Sequence, residues 1–152
     1  MLKTVVLTFL ALMSFAVTCS AMDRYYCTAD DGQLKLSAET GFKELPGWPL
    51  SHLRAVVVFK PGQGKTLTGT LMLGSSNVIQ YWRDGQSMMI RTASKSGVGT
   101  TATNVDVVLD SKMSGKDINH FVGRYTVTVH PINDVDPLQA VTRDGAISCA
   151  RF

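Results

Sequence analysis

The side chains best suited to acid–base catalysis in this 152-residue chain are its three histidines, His52, His120 and His130. His120 and His130 are predicted at opposite ends of one strand, about 30 Å apart at the usual rise per residue, which is too far to share a metal ion. The sequence contains neither Gly-x-Ser-x-Gly nor Ser-x-x-Lys, two motifs that place a catalytic serine. Spacing therefore predicts no catalytic residue and no metal ligand. It leaves open a hydrolase whose serine and histidine meet only in three dimensions.

Two polar segments have part of the composition of ligand-binding loops. Lys60–Thr66 ends in Gly-Lys-Thr, as phosphate-binding loops do, but Phe59 stands where the first glycine is needed and a threonine-rich strand follows in place of a helix. Asn133, Asp134 and Asp136 offer oxygen atoms to calcium, without the glycine and the distant glutamate of a calcium loop. We predict turns at both places and expect no cofactor.

Aromatic and arginine residues, which dominate protein-binding hot spots, are concentrated in two places. Trp48 lies in a stretch rich in proline and glycine, and Tyr81, Trp82 and Arg83 precede an Asp-Gly turn. Loops on a rigid β scaffold are a common location for binding sites. These four residues are our candidate binding residues. The alternative is that both tryptophans fill the core or one end of a barrel.

The cysteines are predicted to be structural. Cys19 belongs to a leader, and the pair that remains, Cys27 and Cys149, lies near the two ends of the mature chain. An even number of cysteines in an exported protein favours a disulfide, and a bridge over so long a loop stabilises a fold by about 4–5 kcal/mol in the chain-entropy model. It would hold a sheet edge or close a barrel, and it would leave no thiol for catalysis. Two free thiols are the alternative.

The first 21 residues have the parts of a secretory signal: a basic start with Lys3, an apolar core over Val5–Val17 and small residues at the end. The apolar run is too short for a membrane-spanning helix. We predict that residues 1–21 are cleaved, that residues 22–152 form a single domain without a membrane anchor, and that the protein is secreted or periplasmic. The alternatives are a retained anchor and a lipid on Cys19.

Alternation with period two, broken every eight to twelve residues by turn residues, predicts antiparallel β structure. We predict loops over Thr40–Ser51, Ala93–Thr103 and Asp110–Asn119, and one short helix over Pro137–Val141 after an Asp-Pro pair. Eight or nine short strands with one apolar face make an all-β sandwich or a small closed barrel. The predicted strands are Arg24–Ala29, Gln33–Ala38, His52–Lys60, Thr66–Leu73, Val78–Trp82, Ser87–Thr92, Asn104–Leu109, Phe121–His130 and Ala146–Phe152.

One short pattern is similar to that of a known family. Tyr25-x-Cys27 near the mature start, with Trp82-x-x-Gly85 in a later hairpin, is similar to a pattern in the periplasmic inhibitors of C-type lysozyme. Asp84 stands where that family has a lysine, and the family's upstream Ser-Gly pair is not reproduced. The chain is therefore not assigned to that family.

These observations favour an exported, non-enzymatic binding module that acts on a protein partner, as an inhibitor, immunity factor or envelope accessory protein. Nucleic acid is not an expected partner, because the net charge is only +3 and the basic residues are not clustered. Two alternatives stay open: the hydrolase above, and a small barrel that carries an apolar ligand between methionines such as Met72, Met88 and Met89.

Overall fold

Nine antiparallel strands form one sheet that rolls into a nearly closed barrel in the computed structural model, which describes residues 21–61, 69–96, 103–131 and 140–152. The all-β prediction is confirmed, and the barrel is the form that the sheet takes. The strands are β1 Met22–Asp30, β2 Leu34–Lys43, β3 Leu50–Phe59, β4 Gly69–Gly74, β5 Val78–Arg83, β6 Ser87–Ser96, β7 Thr103–Ser114, β8 Asp117–Pro131 and β9 Val141–Arg151. A 3-10 turn, η1, covers Ser75–Asn77 between β4 and β5.

The alternation that the sequence shows becomes an inner and an outer face. In β1 every second residue from Asp23 to Ala29 is buried and the residues between are exposed. The interior is filled by large side chains, because each strand contributes its inward residues to one common core. The largest fully buried ones are Tyr25, Tyr125, Phe42, Phe121, Leu34, Leu36, Met88, Ile90, Val57, Val127 and Val129.

The predicted disulfide is present. Cys27 and Cys149 are direct partners in the ladder between β1 and β9, their Cα atoms are 3.9 Å apart, and their Sγ atoms lie at bonding distance. The sheet order is β4-β3-β2-β1-β9-β8-β7-β6-β5. The bridge therefore joins the two strands at the middle of this order, and the barrel opens on its other side, between β4 and β5.

We call this opening the seam. The chain runs along it first as β4 and then, after η1, as β5. β4 pairs with β3 on one side of the seam, whereas β5 pairs with β6 on the other side. Two side-chain hydrogen bonds hold η1 in the seam: the Leu53 N–H donates to Ser75 Oγ at 2.9 Å, and Asn77 Nδ2 donates to the Ala93 carbonyl at 3.4 Å. The seam is thus divided into an upper part beside β4 and a lower part beside β5.

Three predicted loops contain strand residues. β2 runs on to Lys43 and buries Phe42, so the stretch from Thr40 is irregular only between β2 and β3. β7 and β8 meet at a tight turn, so most of Asp110–Asn119 is strand; polar Ser111 faces inward there and hides the alternation. β6 likewise extends to Ser96.

Some predictions fall outside the described residues. These are residues 1–20 of the leader, residues 62–66 of the first predicted turn, residues 66–68 of the fourth predicted strand, residues 97–102 of one loop, the predicted turn with Asn133, Asp134 and Asp136, and residues 137–139 of the predicted helix. The last residue of that helix, Val141, begins β9.

Candidate functional site

A buried arginine lies at the lower end of the barrel, which carries the β2–β3, β5–β6 and β7–β8 connections. Arg83 is the last residue of β5, and its side chain is 1% exposed. Its Nε donates to the Tyr25 hydroxyl at 2.9 Å, and its Nη2 donates to Asp23 Oδ2 at 3.2 Å. Asp23 also pairs with Arg151 and accepts a hydrogen bond from Tyr25 at 2.8 Å. We call Asp23, Tyr25, Arg83 and Arg151 the lower cluster.

Aromatic rings enclose the guanidinium of Arg83. Its Cζ lies 5.0 Å from the ring centroid of Trp48, 5.2 Å from that of Tyr25 and 5.5 Å from that of Phe121, which are cation–π distances. Nη1 is buried without a hydrogen-bond partner among the described residues. Trp48 has a φ of 46°, a left-handed value that a tryptophan adopts only where its surroundings impose it. The β2–β3 connection is therefore fixed onto β5 by this stack.

The lower cluster also changes the acidity of a phenol. Burial raises the pKa of Tyr25 to about 12, and the hydrogen bond to Asp23 adds to this, while the charge of Arg83 acts in the opposite direction. Tyr25 therefore remains a neutral donor to Asp23 across the physiological range. Because Asp23 pairs with both Arg83 of β5 and Arg151 of β9, the cluster links these strands to β1 and acts as a structural anchor at this end of the barrel.

A similar but smaller arrangement lies at the upper end, beside the β1–β2 turn. Tyr125 donates a hydrogen bond to Asp31, which also accepts backbone N–H groups of Gln33 and Leu34 at 2.8 and 3.1 Å. Burial would raise the pKa of Asp31, but these hydrogen bonds outweigh burial and lower it. Gly145 leaves the space, since a Cβ there would lie 2.5 Å from Asp31 Oδ2.

The lower part of the seam forms an open cleft of about 480 Å³. It has one wall from β3 and one from β5, and η1 closes its top. Its described lining includes no charged side chain. Ile79 is 57% exposed and Tyr81 39% exposed, and the Tyr81 ring packs against the buried ring of Phe42 with centroids 6.1 Å apart. The lining consists of Leu50, Ser51, Ser75, Val78, Ile79, Gln80 and Tyr81.

The four candidate binding residues occupy three different environments. Trp48 and Arg83 stack on each other inside the lower end, and Tyr81 lies in the cleft. Trp82 points away from both and is 40% exposed on the outer face, where it borders a shallow groove of about 420 Å³ together with Val122. The structure thus brings Trp48 and Arg83 together and separates Trp82 from them.

Sequence reasoning missed Asp23, Leu50 and Ile79. Asp23 could have been found from the sequence. It lies two residues before Tyr25 and four before Cys27, so the period-two alternation of this strand predicts that its carboxylate points inward. The position of Ile79 could not have been found in this way. It has no partner in the ladder between β5 and β6 because it lies in a β-bulge, and alternation does not reveal where a bulge occurs. Leu50 follows Pro49, and the proline-containing stretch predicts a loop there.

The features that would support catalysis are only partly present. His120 Nε2 lies 3.0 Å from Ser148 Oγ on the outer surface of β8 and β9, and no carboxylate of the described residues bonds to that histidine. His52 Nε2 lies 3.4 Å from Glu39 Oε1. In the described ranges, no three His, Cys, Asp or Glu side chains come together as metal ligands.

The methionines proposed to line an apolar cavity do not share one environment. Met88 is buried, its neighbour Met89 points outward, and Met72 is 75% exposed.

The described part of the chain holds no helix with the length and apolar character needed to cross a membrane. Comparison with protein-family models, with curated proteins and with solved structures finds no match to this chain.

Proposed function

We propose that this protein is an exported, non-enzymatic binding module that recognises a protein partner through the lower cleft. The observation that carries the proposal is the open cleft, where Ile79 and Tyr81 present apolar surface to solvent beside Leu50. An uncharged, concave site with a tyrosine is typical of the centre of a protein interface, where charged residues are depleted.

The rigidity of the cleft supports the same proposal. The Tyr81 ring packs against Phe42, and two residues further along β5 the side chain of Arg83 is held by its ion pair with Asp23. A contact surface that is already ordered loses little conformational entropy on binding. The lower cluster therefore contributes to binding by holding β5 in place, without contacting the partner.

The expected contribution of one cleft residue can be estimated. Complete burial of a large apolar side chain stabilises by about 1.5–3 kcal/mol, and Ile79 has roughly half of its surface left to bury. Truncation to alanine should therefore weaken binding about tenfold, since 1.4 kcal/mol corresponds to a factor of ten.

The test is capture of partners from cell-envelope extract on the oxidised mature protein, compared with an Ile79→Lys variant. Ile118→Lys is the matched control, because Ile118 is also 57% exposed but lies on β8. We expect a protein retained by the wild type and by Ile118→Lys and lost from Ile79→Lys. A partner retained equally by all three baits, or no partner on any of them, contradicts the proposal.

A further inference from the structure

We infer that the partner enters the lower cleft as an extended peptide segment that pairs antiparallel with β5 and adds a strand to the sheet. This inference rests on the proposed function and names its mode of recognition. It requires a free strand edge, room for one chain beside it, and side-chain contacts that suit an extended segment.

The free edge belongs to β5. Among the described strands β5 is an end strand that pairs only with β6, and its other edge faces the cleft along Val78–Tyr81. A strand edge carries backbone N–H and C=O groups that another chain can pair with. Between Val78 and Trp82 there is no charged residue and no proline to prevent such pairing. The bulge at Ile79 turns that side chain into the cleft lining.

The opposite wall of the cleft, at the start of β3, also has an unpaired stretch. β4 pairs with β3 only as far as Arg54 and Gly74, so the first residues of β3 have no strand partner on the cleft side among the described strands. The Cα atoms of β3 and β5 are nearly all more than 8 Å apart, against about 5 Å for paired strands. One inserted strand needs about twice the interstrand spacing of 4.8 Å.

These walls also select the occupant. A single extended segment is the occupant that suits them, because the cleft offers one free strand edge, on β5, with apolar side chains beside it. The four residues of β5 that line the cleft offer an edge of about 13 Å at the usual strand rise. Because the lining is uncharged and Leu50, Ile79 and Tyr81 are apolar, every second side chain of the bound segment should be apolar and uncharged.

The probe is a displayed library of random linear peptides about twelve residues long, selected on the oxidised protein and counter-selected on Ile79→Lys. Enriched peptides should show apolar residues at alternate positions. The decisive step is a scan in which each backbone nitrogen of one such peptide is methylated in turn. Strand pairing predicts that affinity falls about tenfold or more at every second position, where an N–H bonds to β5, and changes little between them.

Each other outcome overturns the inference and separates it from the proposed function. Peptides that need Ile79 but show no alternation in the methylation scan would leave the cleft as a binding surface and exclude strand addition. Failure to enrich any linear peptide excludes an extended segment, while capture of a folded partner can still succeed. If light scattering shows a wild-type dimer that Ile79→Lys dissociates, the occupant is a second copy.

Discussion

The lower cluster predicts an asymmetry between two substitutions of one buried ion pair. Asp23→Ala leaves the guanidinium of Arg83 buried, with only the Tyr25 hydroxyl as a hydrogen-bond partner, and it also removes the carboxylate that pairs with Arg151. Arg83→Met removes the buried cation itself. Asp23 then keeps Arg151 and the Tyr25 hydroxyl, and the methionine keeps the apolar contacts of the arginine stem.

The magnitudes follow from what each variant leaves unpaired. Removing one member of a buried pair and leaving the other charged costs about 3–5 kcal/mol, and we expect this range for Asp23→Ala. Arg83→Met also removes Nη1, a buried donor without a partner among the described residues, whose desolvation costs about 1–3 kcal/mol. We therefore expect a loss of about 0–2 kcal/mol for Arg83→Met.

The measurement is urea unfolding of the oxidised protein at neutral pH, with the midpoint and the slope fitted for each variant. Asp23→Asn is the control, because it keeps the shape and one oxygen acceptor while it removes the charge, and it should fall between the other two. If Arg83→Met is as destabilising as Asp23→Ala, the cluster is not the anchor described above, and its energy resides in the aromatic stack around Arg83.

Three further predictions use the same unfolding assay. Replacing both Cys27 and Cys149 by alanine should lower the free energy of unfolding by about 4–5 kcal/mol, and an unchanged midpoint would refute the bridge. Because burial raises the pKa of Tyr25 to about 12, the unfolded state loses the phenol proton before the folded state does, and the free energy of unfolding should fall between about pH 10 and pH 12. Tyr25→Phe should make that fall smaller. An identical pH profile for the variant would contradict the raised pKa of Tyr25. Gly123→Ala should cost at least about 1–3 kcal/mol, since its Cβ would lie 1.9 Å from a carbonyl oxygen of β7, whereas Gly32→Ala has nothing within 4 Å and should be nearly neutral; equal effects would exclude that close approach.

Much of the fold could be predicted from local pattern alone. Inward residues of β1 are recognisable by alternation, and the disulfide pair followed from the even number of cysteines left in the mature chain. The strand ends could not be placed in the same way. Ser111 is buried within 3.9 Å of the Cys149 sulfur, so a polar residue faces inward because of a partner that is distant in sequence. At such a position the alternation of apolar and polar residues stops in the sequence, although the strand itself continues to Ser114.

The cleft could not be predicted, because it depends on how the sheet closes. The residues of β4 and β5 read as two ordinary strands separated by a short turn. Nothing in their sequence shows that β4 pairs with β3 while β5 pairs with β6. This change of pairing partner depends on the whole barrel, since β4 and β5 must fit between β3 and β6, whose positions are fixed by their pairing with other strands. The apolar character of Ile79 was visible in the sequence, but its exposure was not.

The sequence of β5 combines three roles in three consecutive residues. Tyr81 faces the cleft, Trp82 faces the outer surface, and Arg83 returns inward to the ion pair with Asp23. Because side chains alternate along a strand, a concentration of aromatic and basic residues in the sequence does not become one surface. The disulfide and the cleft are likewise separated, since the bridge joins the central strands of the sheet order and the cleft lies beside an end strand. The covalent link therefore stabilises the closed side of the barrel, and the lower cluster is left as the element that keeps the open side in shape for a partner.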